Sequence, residues 1–238
     1  MQEYLAKTLQ GLEGVLADEL KALGAKDIEI QRRAVSFKGD KKTLYKANFW
    51  LRTALRILKP VAVFKVNSPD DVYTEIKKLK LEEFINANKT FSIDTTVYSE
   101  QINHSRYVTY KAKDAIVDYF TEKYGKRPTV SVANPDIYFN LHISHTTCTL
   151  SLDSSGAPLF KRGYRVAQTD APINEVLAAG LLMLSGWKGQ CDFIEPMCGS
   201  GTIAIEAAMI ALNMAPGLFR KEFAFERWED FDKDMFDD

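Results

Sequence analysis

The first 65 residues alternate between stretches of strand-like and helix-like hydrophobic spacing. Apolar positions recur every second residue in the predicted strands and every three to four residues in the predicted helices. The predicted strands are residues 4–9, 28–37 and 55–64, and the predicted helices are residues 14–23 and 41–53. Gly24 is a typical helix end. This order of short elements predicts a small α+β domain of the ferredoxin-like kind over residues 1–65.

Residues 66–155 repeat this mixture with a longer sheet. Ser68 and Pro69 are a helix-start signal, and apolar positions continue at helical spacing to about Asn86. A second helix is predicted over residues 112–124 and ends before Gly125. The predicted strands are residues 91–97, 130–132, 137–143 and 148–152. Their strict alternation predicts a second α+β domain whose sheet has one buried face.

The third segment, residues 156–238, begins after a polar turn at residues 153–156. Thr169 or Asp170 can cap a helix that has Pro172 in its first turn and runs from Ile173 to Trp187. A short buried-type strand is then predicted at residues 191–195, followed by a glycine-rich turn and a helix over residues 203–214. Strand, glycine turn and helix in this order predict the start of a doubly wound α/β domain of the Rossmann-like kind.

Composition narrows the class of protein. The chain is 46% hydrophobic, enough for a substantial core, and it has no uninterrupted apolar stretch of about 20 residues. Neither a membrane partner nor a secretory signal is therefore expected. Three cysteines without a C-x-x-C pair argue against disulfides and a zinc knuckle, and they favour a reducing cytoplasm. His142, His145 and Cys148 are read as ordinary strand residues, so no metal site is expected.

The charge is unevenly distributed. The whole chain has a net charge of −1, but residues 222–238 hold eight acids and two basic residues, which leaves +5 for residues 1–221. This excess is compatible with a nucleic-acid partner but does not require one, and charge alone favours a solvated, mildly basic surface.

The glycine turn is the candidate for chemistry. Gly199 and Gly201 let the main chain approach a ligand and adopt positive φ, and the following helix directs free N–H groups toward it. No lysine follows Gly201, which disfavours a nucleoside triphosphate. A dinucleotide stays open, because Gly199-x-Gly201-x-x-Ala204 fits the relaxed fingerprint and Glu222 lies near the distance of a ribose-binding acid. Glu195 argues against it, since a carboxylate repels pyrophosphate but attracts the ammonium and sulfonium groups of S-adenosylmethionine.

Five stretches closely resemble the bacterial methyltransferases that contain a THUMP domain, a family often labelled as N6-adenine-specific DNA methylases. Within it, the nearest kin methylate the exocyclic amino group of guanine in large-subunit ribosomal RNA. The matching stretches are residues 193–208 (FIEPMCGSGTIAIEAA), 158–165, 171–179, 215–218 and 225–228. The family usually has aspartate at the position of Glu195, so the charge is kept on a longer side chain.

The resemblance implies a fold, a cofactor and a set of site residues. The expected order is a ferredoxin-like subdomain over residues 1–65, a THUMP RNA-binding domain over residues 66–155, and the beginning of a class I methyltransferase domain over residues 156–238. The residues expected to line S-adenosylmethionine are Glu195, Pro196, Met197, Cys198, Gly199, Ser200, Gly201 and Thr202. The residues expected to contact RNA are Lys161, Arg162, Tyr164 and Arg165, with ion pairs or a solvated linker as the alternative.

The implied function is methylation of a guanine amino group in 23S ribosomal RNA. The alternatives are a non-catalytic RNA-binding module and an NAD-type oxidoreductase. Amino-group methyltransferases of the family that the chain resembles hold the target amine with an Asn/Asp-Pro-Pro-aromatic loop. No such loop follows Thr202, and residues 134–138 resemble one only distantly. These 238 residues are therefore expected to be inactive alone, and an exposed apolar sheet edge would favour self-association.

Overall fold

A computed structural model describes residues 1–102, 104–166 and 171–238. Within these residues the chain forms two compact units. Unit 1 comprises residues 1–57, 155–223 and 232–238, and unit 2 comprises residues 58–154 and 224–231. None of the helices in the described part of the chain is both long and apolar enough to cross a membrane.

The regular elements follow one another in chain order. They are β1 (Gln2–Lys7), α1 (Glu13–Ala22), β2 (Lys26–Gln31), β3 (Ala34–Gly39), α2 (Lys41–Trp50), β4 (Arg56–Lys65), α3 (Pro69–Lys77), β5 (Thr90–Tyr98), α4 (Ser105–Tyr124), β6 (Thr129–Val130), β7 (Ile137–Ser144), β8 (Thr147–Asp153), α5 (Glu175–Leu184), α6 (Thr202–Ala211) and α7 (Lys233–Asp237). Single turns of 3-10 helix span Leu81–Glu83 and Ala224–Arg227.

Residues 2–65 have the ferredoxin-like order β-α-β-β-α-β; the first five elements belong to unit 1, and β4 begins at the end of that stretch and continues into unit 2. The first three strands lie in the order β2-β3-β1, with antiparallel pairing that places Tyr4 opposite Phe37. The single strand predicted over residues 28–37 is wrong, because the chain turns back at Arg33, which adopts a φ of 57°. Tyr4, Phe37, Leu16 and Leu20 are fully buried between the sheet and α1. The ferredoxin-like prediction is therefore confirmed.

Unit 2 is built around a mixed sheet in the order β4-β8-β7-β5-β6. Strands β7 and β8 form an antiparallel hairpin, whereas β5 runs parallel to β7 and β6. Helix α3 starts with a reciprocal capping box between Ser68 and Asp71, and it packs on α4. The prediction that this first helix continues to Asn86 is wrong, since α3 ends at Lys77. Helix α4 ends at Gly125 in a left-handed conformation, as predicted.

Helices α5 and α6 of unit 1 pack against each other. Helix α5 is shorter than predicted, and its N-cap is Asn174, whose side chain accepts hydrogen bonds from the main-chain N–H groups of Val176 and Leu177. The predicted capping residues Thr169 and Asp170 lie outside the described residues.

The strand predicted at residues 191–195 is wrong. These residues are irregular, and Ile194 is 84% exposed. The main-chain carbonyl of Cys191 accepts a hydrogen bond from the indole of Trp187 at 3.0 Å, which closes a local turn. A buried parallel strand needs neighbouring strands and helices on both faces, and the described residues after Ser155 contain no strand. The apolar run therefore has no ladder to join.

Candidate functional site

The glycine turn has the backbone conformation that its sequence predicts. Gly199 and Gly201 have φ values of 52° and 73°, and the N–H of Gly201 donates to the carbonyl of Cys198 at 2.7 Å. Helix α6 begins directly after Gly201, which offers no side-chain cap to its first N–H groups. No atom lies within 4 Å of the position that a Cβ at Gly199 would occupy. The turn therefore leaves open space in front of a helix N-terminus.

Glu195 occupies part of that N-terminus. Its Oε2 accepts a hydrogen bond from the main-chain N–H of Ala204 at 3.0 Å. A carboxylate at this end of a helix is favoured by the helix dipole and satisfies one of the unpaired donors. The negative charge of Glu195 is thereby held beside the glycine turn, where the sequence predicted it.

Arg165 lies against the same turn. Its Nη2 donates to Thr202 Oγ1 at 2.9 Å and its Nη1 donates to Ser200 Oγ at 3.2 Å. Its Nε pairs with the Glu175 carboxylate at the first position of α5, and Nη2 also donates to the carbonyl of Ile173 at 3.1 Å. The Arg165 side chain is 19% exposed. It therefore serves contacts within the chain rather than presenting an open guanidinium.

Arg162 requires a correction. It was expected to contact RNA, but its side chain is only 2% exposed and its guanidinium faces the interior. Nε lies 3.4 Å from Glu206 Oε1, and the two terminal nitrogens donate to the carbonyls of Leu159 and Arg52 at 2.9 and 2.5 Å. A guanidinium that is buried and bonded in this way has no surface left for a phosphate. Arg162 is a structural residue.

Glu206 and Tyr164 complete this buried cluster. Burial raises the pKa of the Glu206 carboxyl, while the Arg162 guanidinium opposes the rise. The hydroxyl of Tyr164 donates to Glu206 Oε1 at 3.1 Å, and burial together with the nearby carboxylates raises the pKa of that phenol. Tyr164 is half-buried, so only part of its ring is available for stacking on a base. Sequence spacing alone did not reveal that Glu206 lies near the positive charges of both Arg162 and Arg52.

Lys161 is the exposed member of the predicted RNA cluster. Its carbonyl accepts from Arg220 Nη1 at 2.9 Å, and the same guanidinium binds the carbonyls of Ser155, Ala157 and Pro158. Arg220 thus fixes the segment that carries the cluster, a role that sequence analysis missed. Gly163 was the sequence signal for this close packing against the backbone next to Arg220. It has a φ of 95°, and a Cβ there would lie 2.1 Å from the carbonyl oxygen of Phe219.

A cavity of about 410 Å³ lies beside this segment in unit 1. It is lined by residues 160–163, Arg165 and residues 172–175. The cavity is therefore lined both by the exposed Lys161 and by Arg165, whose guanidinium binds the glycine turn.

Some basic residues of unit 2 form salt bridges and others are exposed. Salt bridges join Lys111 to Asp70 and Lys123 to Glu82, both at 2.6 Å. Arg106 is exposed at the start of α4. Exposed pairs of this kind contribute little to stability and can exchange partners.

The histidines and the cysteine near the β7–β8 hairpin lie on different faces. Cys148 is paired with Ile143 and is buried, whereas His142 is paired with Thr149 on the other face, and His145 lies in the turn. Across residues 1–102, 104–166 and 171–238, no group of three or more histidine, cysteine or acidic side chains is arranged to hold a metal ion.

Three family models match successive parts of the chain. Residues 3–58 match the RlmL ferredoxin-like domain, residues 66–153 match the THUMP domain, and residues 162–235 match the RMKL-like methyltransferase domain. The order of the three matches is the order that the sequence predicted.

Curated and solved proteins are similar over nearly the whole chain. A protein of Synechocystis sp., provisionally named an RNA methyltransferase, is 41% identical over 98% of the chain. The ribosomal RNA large subunit methyltransferase K/L of Syntrophotalea carbinolica is 42% identical over 95% of it. A solved structure described as a provisionally assigned methyltransferase complexed with SAH is 32% identical over 99% of it, with a TM-score of 0.85. The chain spans 61%, 32% and 62% of these three proteins, respectively.

Proposed function

Because this chain belongs to the family of THUMP-containing RMKL-like methyltransferases, we propose that it is the RNA-binding and cofactor-loop part of an S-adenosylmethionine-dependent RNA methyltransferase. The proposed domains are residues 1–65, 66–155 and 156–238, and the proposed location is the cytoplasm. The observation that carries the proposal is the glycine turn beside Glu195 at the start of α6.

The chemistry of the turn fits this cofactor. The open main chain at Gly199 and Gly201 can approach the aminoacyl part of the ligand, and the uncapped N–H groups of α6 suit its carboxylate. Glu195 provides a negative charge for the ammonium or sulfonium group. The residues proposed to line the cofactor are Glu195, Pro196, Met197, Cys198, Gly199, Ser200, Gly201 and Thr202. When bound, S-adenosylmethionine supplies the methyl group from its sulfonium.

The proposed acceptor is the exocyclic amino group of a guanine in 23S ribosomal RNA. Support comes from the family resemblance and from the name of the Syntrophotalea relative. Lys161 is the proposed phosphate contact, because it is exposed beside the cavity. Tyr164 can contribute the exposed part of its ring to a base.

Titration calorimetry separates this cofactor from the dinucleotide alternative. The chain is expected to bind S-adenosylhomocysteine and not NAD, and Gly201→Val is expected to abolish binding, because a β-branched residue strongly resists a φ of 73°. Gly186→Val is the matched control, since Gly186 has a φ of 74° and open space around it but lies outside the turn. Binding of NAD without S-adenosylhomocysteine would overturn the proposal in favour of an oxidoreductase.

RNA binding is tested by salt dependence. Lys161→Ala should weaken binding of a 23S ribosomal RNA transcript and reduce the slope of log K against log salt by roughly 1, the value for one phosphate contact. Lys188→Ala, an exposed lysine elsewhere in unit 1, is the control. An identical slope in the two variants would remove Lys161 from the interface. Binding of RNA without any binding of S-adenosylhomocysteine would favour a non-catalytic RNA-binding module.

A further inference from the structure

The glycine turn has little of its own to hold it in shape. Gly199 and Gly201 lose more backbone freedom on ordering than any other residue type, and Met197 is 90% exposed. Within residues 195–204, the internal bonds run from the N–H of Gly201 to Cys198 and from the N–H of Ala204 to Glu195. Weaker contacts join the hydroxyls of Ser200 and Thr202 at 3.4 Å and the Cys198 thiol to its neighbouring carbonyl at 3.9 Å. An ordered turn of this composition needs an anchor from elsewhere in the chain.

Arg165 is that anchor in the described part of the chain. Of the side chains described outside residues 195–204, it alone makes hydrogen bonds to the turn, through Ser200 and Thr202. Its other contacts, to Glu175 and to the carbonyl of Ile173, belong to the start of α5. One planar group therefore joins the turn to a second helix.

We propose that Arg165 is a positioning residue for the cofactor turn, holding Ser200 and Thr202 in place from the start of α5 rather than contacting RNA. The proposal deepens the proposed function, because it assigns how the same site is kept in its binding shape. Thr202 is buried at the first position of α6, so the hydrogen bond from Arg165 reaches the start of that helix.

Only arginine fits this position. Its guanidinium donates to four acceptors: the Glu175 carboxylate, the Ile173 carbonyl and the two hydroxyls of the turn. A lysine would keep the charge beside the buried Glu175, but its single ammonium cannot reach both sides. Arg165→Lys therefore removes the link to the turn while it leaves the Glu175 charge compensated.

Hydrogen–deuterium exchange of the chain, without any ligand, tests the link directly. In Arg165→Lys, amides of residues 198–204 are expected to exchange about tenfold faster or more, as loss of charge-assisted hydrogen bonds predicts. Residues 13–22 and 34–39 of the same unit should exchange as in the unsubstituted chain. Arg32→Lys, at an exposed arginine of unit 1, is the matched control. Unchanged exchange at residues 198–204 in Arg165→Lys would overturn the proposal.

A double-mutant cycle separates positioning from general destabilisation. Arg165→Lys and Thr202→Val should each weaken binding of S-adenosylhomocysteine about tenfold, and the double variant should be little weaker than either one. Fully additive effects would show that Arg165 does not act through Thr202 and would overturn the proposal. If the unsubstituted chain binds no S-adenosylhomocysteine but the exchange result holds, the positioning role stands and the cofactor assignment fails.

Discussion

Replacement of Arg162 by methionine is expected to destabilise unit 1 strongly. Methionine fills a similar volume but removes the guanidinium that pairs with the fully buried Glu206 carboxylate, and Arg52 is the positive charge that remains near it. The carbonyls of Leu159 and Arg52 lose their donors at the same time. The perturbation therefore removes one partner of a buried pair and keeps the other.

The magnitude follows from the buried geometry. Removing one partner of a buried ion pair costs about 3–5 kcal/mol, because the remaining charge stays desolvated. For a chain of this size, 1 kcal/mol corresponds to about 2–4 °C in melting temperature, so we expect a decrease of about 6–20 °C. The double variant Arg162→Met/Glu206→Met should recover much of this loss, since an apolar pair carries no desolvation penalty.

The pH dependence gives a second test. Burial already raises the pKa of Glu206 above its ordinary value of 4.5, and loss of Arg162 should raise it further. A carboxyl with a raised pKa in the folded state contributes stability that is present below its unfolded pKa and lost as pH rises through its folded pKa. The destabilisation by Arg162→Met should therefore be larger at pH 7 than near pH 4.5.

The assay must resolve the two units, because a single midpoint is not defined if they unfold separately. Hydrogen exchange in increasing urea, measured on residues 41–50 and 202–211, reports unit 1, whereas residues 105–124 report unit 2. Arg32→Met is the control for an exposed arginine. If the free energy of unfolding of unit 1 in Arg162→Met lies within about 1 kcal/mol of that of the unsubstituted chain, the buried ion pair is refuted.

Three further predictions follow from local geometry. Ser68→Ala should cost unit 2 about 1 kcal/mol in urea unfolding, because it removes a capping box; an unchanged midpoint would contradict this. Gly163→Ala should cost unit 1 about 3 kcal/mol or more, through positive φ and a clash with Phe219, whereas Gly11→Ala has the strain without the clash and should cost less. Burial raises the pKa of the Cys148 thiol to about 12, so iodoacetamide at pH 8 should alkylate only the two exposed cysteines until the protein is denatured.

Elements with regular hydrophobic spacing could be predicted, but turns without glycine or proline could not. The bend between β2 and β3 is formed by Arg32 and Arg33. Arg33 adopts a positive φ, which an arginine side chain does not indicate in the sequence. Beyond Lys77, Leu81 and Ile85 keep the helical spacing of α3 and are buried, although they lie in a 3-10 turn and the segment after it. Spacing identifies buried positions more securely than it identifies the conformation that buries them.

The basic cluster shows a different limit. Lys161, Arg162 and Arg165 are close in sequence and equal in charge, yet one is exposed, one is buried and one binds the glycine turn. Residues 158–166 form neither helix nor strand, so no periodicity tells which way each side chain points. The roles of the two arginines depend on Glu206, 44 residues from Arg162, and on Glu175, 10 residues from Arg165. Charge counting cannot reveal such partners.

The glycine turn and the strand predicted before it illustrate why one local pattern succeeds and another fails. The turn and the start of α6 both form as predicted, with short-range hydrogen bonds from Gly201 to Cys198 and from Ala204 to Glu195. A strand needs a ladder with other segments, and residues 191–194 have none among the described residues. The shape of the cofactor turn therefore does not depend on that strand. It depends on α6 and on Arg165, so perturbing Arg165 should affect the turn more than perturbing Ile194.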